Sequence, residues 1–195
     1  MVSTNDDPIE LVPARTETWR EQFTEERDRI DETLADASLE STVERIEHVG
    51  STAVPDLAAK DIVDLDIVVA DGAVREVSRT LETELGGDRI ENSDEWHPVF
   101  RRENGQRFND HVFAASSDGW KISVVTREIL AAEPTLRAEY EALKRELAAE
   151  HDELVAYSRG KTAFIKRALD VARASDGLSF DFEVPINNRD DLSDE

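Results

Sequence analysis

The 195-residue chain has no cysteine, a single methionine and only five lysines. Without cysteine it has neither disulfides nor thiolate nucleophiles nor thiolate metal sites. No apolar run approaches the roughly 20 residues that a membrane-spanning helix requires. The N-terminus carries no apolar leader segment, so a cytoplasmic protein is expected. Positive charge is scarce overall: 23 Lys and Arg face 45 Asp and Glu, for a formal net charge of -22 and a pI of about 4.5. That balance argues against duplex nucleic acid gripped by a basic surface and against anionic membranes.

What the chain has in quantity is acid spread along its whole length, with arginine far outnumbering lysine. This resembles the composition of proteins from salt-in halophilic archaea, whose acidic surfaces stay hydrated in concentrated KCl; an acidic mesophilic protein is the alternative. In multimolar salt the surface repulsion is screened within about 3 Å.

The length suits one domain with a substantial core. The pattern is α/β (α+β), a mixed β-sheet flanked by helices with a helical C-terminal half. Ile9 to Val12 reads as a short strand, Thr16 to Leu34 as a helix and Val43 to Val49 as a strand feeding the Gly50-Ser51 turn. A short helix near Pro55 is expected within Thr52 to Ala59, then a strand from Ile62 to Val69. A helix from Ala73 to Leu85 stops at Gly86-Gly87. Glu95 to Arg102 and Gln106 to Ala115 read as strands of a hairpin turning at Asn104-Gly105. Three helices follow: Ser117 to Ala132, Pro134 to Glu150 and Asp152 to Ala174. The domain is placed at residues 1–174, and 175–195 is read as a mobile acidic tail with a short strand at Phe180 to Val184.

The strand from Ile62 to Val69 carries the strongest chemical signal. Alternate side chains point to opposite faces of a strand, so Val63, Leu65, Ile67 and Val69 form a wholly aliphatic face. The other face presents Asp64 and Asp66 between Ile62 and Val68. Two carboxylates on a mostly buried strand repel each other and lose hydration. A divalent cation relieves both costs, and hard oxygen ligands suit Mg²⁺ or Mn²⁺ together with substrate phosphates. In a chain with 45 acidic residues, a solvent-facing edge strand is the plainer alternative.

Upstream, Gly50-Ser51 is separated from Asp64 by twelve residues. An apolar residue, Gly-Ser, such a spacer and Asp-apolar-Asp-apolar together resemble the signature of the polymerase-β-like nucleotidyltransferases. The wider stretch His48-Val49-Gly50-Ser51-Thr52-Ala53-Val54-Pro55, with Leu57 to Lys60 and Ile62-Val63-Asp64, resembles the GrpB family, which is assigned to that superfamily by fold. Further matches are Ile9 to Pro13, Trp19, His111-Val112-Phe113, Trp120, Tyr140 to Lys144, Leu147-Ala148, Tyr157 and Lys161 to Ile165. They extend the likeness over about residues 9 to 170. Two departures stand out: the family's Pro-Gly-Leu is here Pro55-Asp56-Leu57, and its His-Leu-His-Val is Asn109-Asp110-His111-Val112.

The resemblance implies a metal-dependent nucleotidyltransferase-like protein. Asp64 and Asp66 would hold Mg²⁺ or Mn²⁺ as catalytic carboxylates, and the Gly50-Ser51 turn would contact the phosphates of a nucleoside triphosphate. Active members of that superfamily add a third carboxylate; Asp110 is a candidate, on the strand face opposite Asn109 and His111. Lys60 is positioned to neutralise phosphate or to form a structural ion pair, and Gly50-Ser51 to bind phosphate or simply to turn the chain. His48 and His111 are substrate or metal ligands, or structural hydrogen-bonding residues. Arg101, with Arg102 and Arg107 around the hairpin turn, is read as a polyphosphate cradle or as surface ion pairing. Lys161 and Tyr157 line the cleft or pack beside it. The competing expectation is a non-catalytic nucleotide- or coenzyme-binding or partner module, since GrpB-like domains occur fused to dephospho-coenzyme A kinase.

Overall fold

The structure is a computed structural model and describes residues 9–186. The expected mixed sheet forms, flanked by helices. Its strands are β1 (Val43–Val49), β2 (Ile62–Val69), β3 (Asp88–Arg89), β4 (Trp96–Glu103) and β5 (Gln106–Ala114), in spatial order β1-β2-β5-β4-β3. The helices are α1 (Thr16–Asp36), α2 (Val74–Leu85), α3 (Asp118–Ala132), α4 (Pro134–Glu150), α5 (Leu154–Gly160) and α6 (Thr162–Ala174). β2 and β5 pair in parallel and every other pairing is antiparallel.

The aliphatic face of β2 meets α1 and α2. Val63, Leu65, Ile67 and Val69 are fully buried with Phe108 and Val112 of β5, Trp19, Ile30 and Leu34 of α1, and Val77 and Leu81 of α2. The opposite face is covered in part by α3, whose Trp120 and Val124 pack on Val49, Val68 and Phe113. The helices from α3 onward make a second core with Val54 and Leu57, built on Val125, Ile129, Tyr140, Phe164 and Leu169.

Among the helices on the first face lies a buried ionic cluster. Arg101 is 1 % exposed; its Nε donates to Asp110 at 2.9 Å and its Nη1 to the Leu85 carbonyl at 2.7 Å, and it also pairs with Glu26 of α1. Arg29 holds the other side of Glu26. One guanidinium thus supports two carboxylates in a dry site. Burial pushes the Asp110 carboxyl up to about 7, the nearby Glu26 adding to the shift and Arg101 opposing it.

Several expectations need correction. Ile9 to Val12 contributes a single bridge, Val12 to Ala59, rather than a strand. Thr52 to Ala59 is not helical beyond a one-turn 3₁₀ segment, Ser51–Ala53. The reason is Asp56, whose φ of 59° lies in the left-handed region and ends any right-handed turn begun at Pro55. The glycine usual in the resembling family fits that conformation, and Asp is among the side chains that tolerate it. The single helix expected over Asp152 to Ala174 is two: Lys161 joins them as C-cap of α5 and N-cap of α6. Gly160 belongs there because a Cβ would come within 2.3 Å of Leu147 Cδ2.

Phe180 to Val184 is not a strand. Phe180 and Phe182 instead pack against the α3 side of the fold, Phe182 edge-on to Trp120 at 4.9 Å, while Arg45 pairs with Asp181 at 2.6 Å. The rest of the expected tail, 187–195, lies outside the described residues. The short β3 went unforeseen. The Asn104-Gly105 hairpin turn forms as expected, with positive φ at both residues.

Two stability measurements follow. Asp56→Ala lowers unfolding stability by about 1 kcal/mol, because alanine lacks the short polar side chain that lets Asp tolerate the left-handed region, whereas Asp56→Gly leaves the denaturation midpoint at or above the starting value. Arg101→Met leaves buried Asp110 without its ion-pair partner and Glu26 with Arg29 alone, and costs about 3–5 kcal/mol, read by the same chemical denaturation.

Candidate functional site

Where the covering helices stop short of the second sheet face, a cavity of about 340 Å³ opens. Its floor is the beginning of β2 and the middle of β5, in register: Asp64 lies opposite Asn109 and Asp66 opposite His111. Gly50 and Ser51 form one wall, Trp96 and Phe100 of β4 another, and Tyr140, Tyr157, Ser158 and Lys161 close it from α4 and the α5–α6 junction.

Asp64 is half-buried and accepts a hydrogen bond from Asn109 Nδ2 at 2.7 Å. Gly50 packs directly on it: a Cβ there would sit 2.3 Å from Asp64 Oδ2, and its φ of 71° already favours glycine. The turn and the carboxylate are therefore one unit. His111 accepts a hydrogen bond at Nδ1 from the Trp96 indole N–H at 3.3 Å. Burial lowers its pKa, so the neutral ring carries its proton on Nε2 and has a donor left to offer.

Three of the five lysines gather here. Lys60 and Lys161 both lie against the ring of Tyr157, with Nζ 5.4 and 4.6 Å from its centroid. Lys144 of α4 is 1 % exposed. Its Nζ donates to Ser51 Oγ at 3.0 Å and to the Ala58 carbonyl, and lies 5.1 Å from the Tyr140 ring centroid. Burial is the largest cause of depression in each case. Lys144 falls to about 7 with help from Lys161, and Lys161 to about 8 with help from Lys60. Lys60 also falls, with Asp64 opposing the shift. Burial in turn raises the Tyr157 phenol to about 12.

The structure thus brings together Gly50, Ser51, Lys60, Asp64, His111 and Lys161 of the expected set. It separates three others. Asp66 shares the face of Asp64 but is wholly enclosed beneath α3, and neither carboxylate oxygen has a hydrogen-bond partner of good geometry. Desolvation, then the charges of Asp64 and Glu47, push its pKa well above the carboxylate range, while the Ser123 hydroxyl opposes the shift. His48 has the opposite parity on β1 and stacks on Phe23 of α1 at 4.8 Å. Its Nε2 meets Thr52 Oγ1 at 3.1 Å, and burial followed by Arg127 lowers its pKa to about 4. Arg101 is the centre of the ionic cluster on the far face, not a phosphate cradle. Arg102 and Arg107 line a neighbouring cavity of about 240 Å³ that shares Lys60, Ile62 and Leu154 with the first.

This donor set does not fit Mg²⁺ or Mn²⁺ bridged by Asp64 and Asp66. One carboxylate faces the cavity; the other is enclosed beneath α3 and does not line it. Asp110, the candidate third acid, is committed to Arg101 on the opposite face. Among the described residues no group of three or more His, Asp or Glu side chains could hold a metal ion. Lys144, Tyr140 and Asn109 were missed as site residues. The rarity of lysine was the available clue to Lys144.

The family model described as "GrpB protein" matches residues 8–171. A "UPF0157 protein" of Deinococcus radiodurans is 32% identical over 169 residues, covering 86% of this chain and 84% of that protein. The "UPF0157 protein YqkA" of Bacillus subtilis is 29% identical over 80% of this chain, which spans 45% of that longer protein. The crystal structure of GrpB from Enterococcus faecalis superposes with a TM-score of 0.68 at 27% identity, covering 84% of this chain and 96% of that one. These relatives are bacterial, and the expected halophilic archaeal source finds no support among them.

The buried Asp66 carries a prediction whose sign is fixed by its raised pKa. The folded state favours the protonated acid, so its contribution is most favourable below the unfolded carboxylate pKa near 4 and is lost as pH rises towards the folded value. Thermal melts of Asp66→Asn should therefore show a gain over the parent that is larger at pH 8 than at pH 5. An equal or reversed difference would mean that Asp66 is ionised and compensated in the fold.

Proposed function

The chain belongs to the GrpB family, and from that premise we propose that its cavity binds a phosphorylated, multiply anionic small molecule of the nucleotide or coenzyme class, without a bridging metal pair. One observation carries the reading: a chain of net charge -22 lines a single cavity with two of its five lysines, Lys60 and Lys161, and sets a third, Lys144, behind its Ser51 wall.

Buried ammonium groups that depress one another's pKa values are costly unless an anion joins them. Asp64 supplies a single compensating carboxylate beside Lys60 and Lys161. A phosphate or pyrophosphate brings the missing negative charge and accepts charge-assisted hydrogen bonds. Ser51 and neutral His111 add donors that survive changes of pH. Trp96 and Phe100 offer an apolar wall suited to a ring or an alkyl chain.

A second reading, nucleotidyl transfer as in the polymerase-β-like superfamily, draws on the direct packing of Gly50 against Asp64. It differs in requiring Mg²⁺ or Mn²⁺ for the bound complex.

Thermal unfolding with ATP, coenzyme A and pyrophosphate, each in EDTA and in Mg²⁺, separates the two. A ligand at a hundred times its Kd adds about 2.7 kcal/mol of stability. The expected result is a shift that persists in EDTA and survives Asp64→Asn. In Lys161→Gln the affinity falls roughly ten- to hundred-fold, as for loss of one charged hydrogen bond worth about 1.5–3 kcal/mol. A shift seen only with Mg²⁺ and lost in Asp64→Asn would instead select nucleotidyl transfer.

The depressed lysines also set the pH dependence. An anion stabilises their charged forms and raises their pKa values, so binding at pH 8 takes up protons, mainly at Lys161 and Lys144. Affinity then falls as pH rises from 7 to 9. Calorimetry in buffers of different ionisation enthalpy reads the uptake directly; release of protons, or none, would contradict the lysine cluster as the anion site.

A further inference from the structure

We propose that Ser51 is a nucleophile with Lys144 as its general base, and that the site transfers an acyl group from an ester or thioester whose anionic portion lies beside Lys60 and Lys161. The placement of that anionic portion rests on the binding reading above; the serine–lysine pair does not.

The geometry is that of an activated hydroxyl. Lys144 Nζ and Ser51 Oγ are 3.0 Å apart, within reach for direct proton transfer. The second contact of Nζ, to the Ala58 carbonyl, uses an N–H and leaves the lone pair of the neutral amine free to face Ser51. Tyr140 of α4 lines the cavity together with the same serine. Ser51 lines the cavity and is half-buried, while Lys144 is 1 % exposed. The nucleophile is thus open to a ligand and the base is shut away from water.

Lysine serves as a base only when it can be neutral, and the surroundings of Lys144 favour that. Its charged neighbours are Lys161 and Lys60 on the cavity side and Glu141 and Arg145 on its own helix. Three are cations, Glu141 is already held by Arg145 at 2.8 Å, and burial adds to their effect.

The chemistry balances without a cofactor. The Ser51 O–H proton passes to Lys144 Nζ as Oγ bonds to the acyl carbonyl carbon. The tetrahedral adduct collapses, the carbon–oxygen or carbon–sulfur bond to the leaving group breaks, and that group takes the proton from the Lys144 ammonium. Water then repeats the sequence: its proton goes to Lys144, its oxygen bonds to the acyl carbon, and Ser51 leaves with the proton. His111 Nε2–H and Lys161 face the same cavity and are available to the developing oxyanion.

A clamp holding residues 51–58 to α4 would use the same Lys144 contacts, so the test must read reactivity. Folded protein is incubated with p-nitrophenyl acetate and, separately, with an uncharged fluorophosphonate. The expected result is a burst of p-nitrophenol close to one per chain, and an adduct on the tryptic peptide Ile46–Lys60 that is absent in Ser51→Ala. The labelling rate should climb with pH through about 7, following Lys144. In Lys144→Arg, which keeps a cation but cannot accept the proton, it should fall ~100-fold or more, with the melting temperature checked in parallel. Absence of labelling in folded protein between pH 6 and 9, or labelling unchanged in Ser51→Ala, overturns the proposal. Because both probes are uncharged, the burst reads Ser51 and Lys144, and the nucleotide shift reads Lys60 and Lys161; either can fail without the other.

Discussion

Parallel pairing of β2 with β5 at the centre of the sheet is the constraint on which the rest depends. It fixes a residue-by-residue register from Ile62–Arg107 to Val69–Ala114, and every side chain then falls on one of two faces. Parallel strands are stable only when both faces are covered. On the first face the four aliphatic residues of β2 are fully buried against α1 and α2, each worth roughly 1.5–3 kcal/mol. A slip of one residue would exchange them for Asp64 and Asp66. The position of the acids is therefore set by the apolar half of the strand.

The two faces handle buried charge in opposite ways. On the first, Arg101 meets Glu26, Asp110 and the Leu85 carbonyl, so both buried carboxylates have a guanidinium partner. On the second, Lys60 and Lys161 share one aromatic ring and one carboxylate, and Lys144 donates to a hydroxyl and a carbonyl beside the Tyr140 ring. Removing a partner from the first cluster damages the fold; in the second, Asp64 alone among the described carboxylates is set against both Lys60 and Lys161. That asymmetry, rather than the size of the cavity, separates structural charge from charge available to a ligand.

Much of this was legible in the sequence because it is local. Alternation in Ile62 to Val69, Asn104-Gly105 at the hairpin and Gly86-Gly87 after α2 each act within a few residues. Parity could have been pressed further: Arg101 alternates in step with buried Val99, and His48 is offset by one from Val49, whose side faces α3. Depth was not legible. Asp64 and Asp66 are equivalent by alternation, and only the path of α3 makes one a cavity wall and the other an enclosed acid. The contact of Lys144 with Ser51 was hidden for a related reason, since it spans 93 residues and depends on how α4 crosses the Gly50 turn. The break at Lys161 was hidden because apolar spacing continues on both sides of it.

The lysine cluster also resolves an apparent conflict between anchoring an anion and activating a hydroxyl, since one ammonium cannot do both. Lys161 lies at the edge of the cavity and titrates near 8, so at neutral pH it remains mostly charged; Lys144 lies behind Ser51 and titrates near 7, so a large fraction is neutral. Their mutual repulsion helps to create this division, because each cation lowers the proton affinity of the other. An anion at Lys60 and Lys161 would weaken that repulsion and raise Lys144 as well. Any anion there, the anionic portion of the substrate included, would then shift the pH at which Lys144 becomes a base upward. The same three lysines thus relate binding and reactivity through pH, and distance from the anion decides which role each one takes.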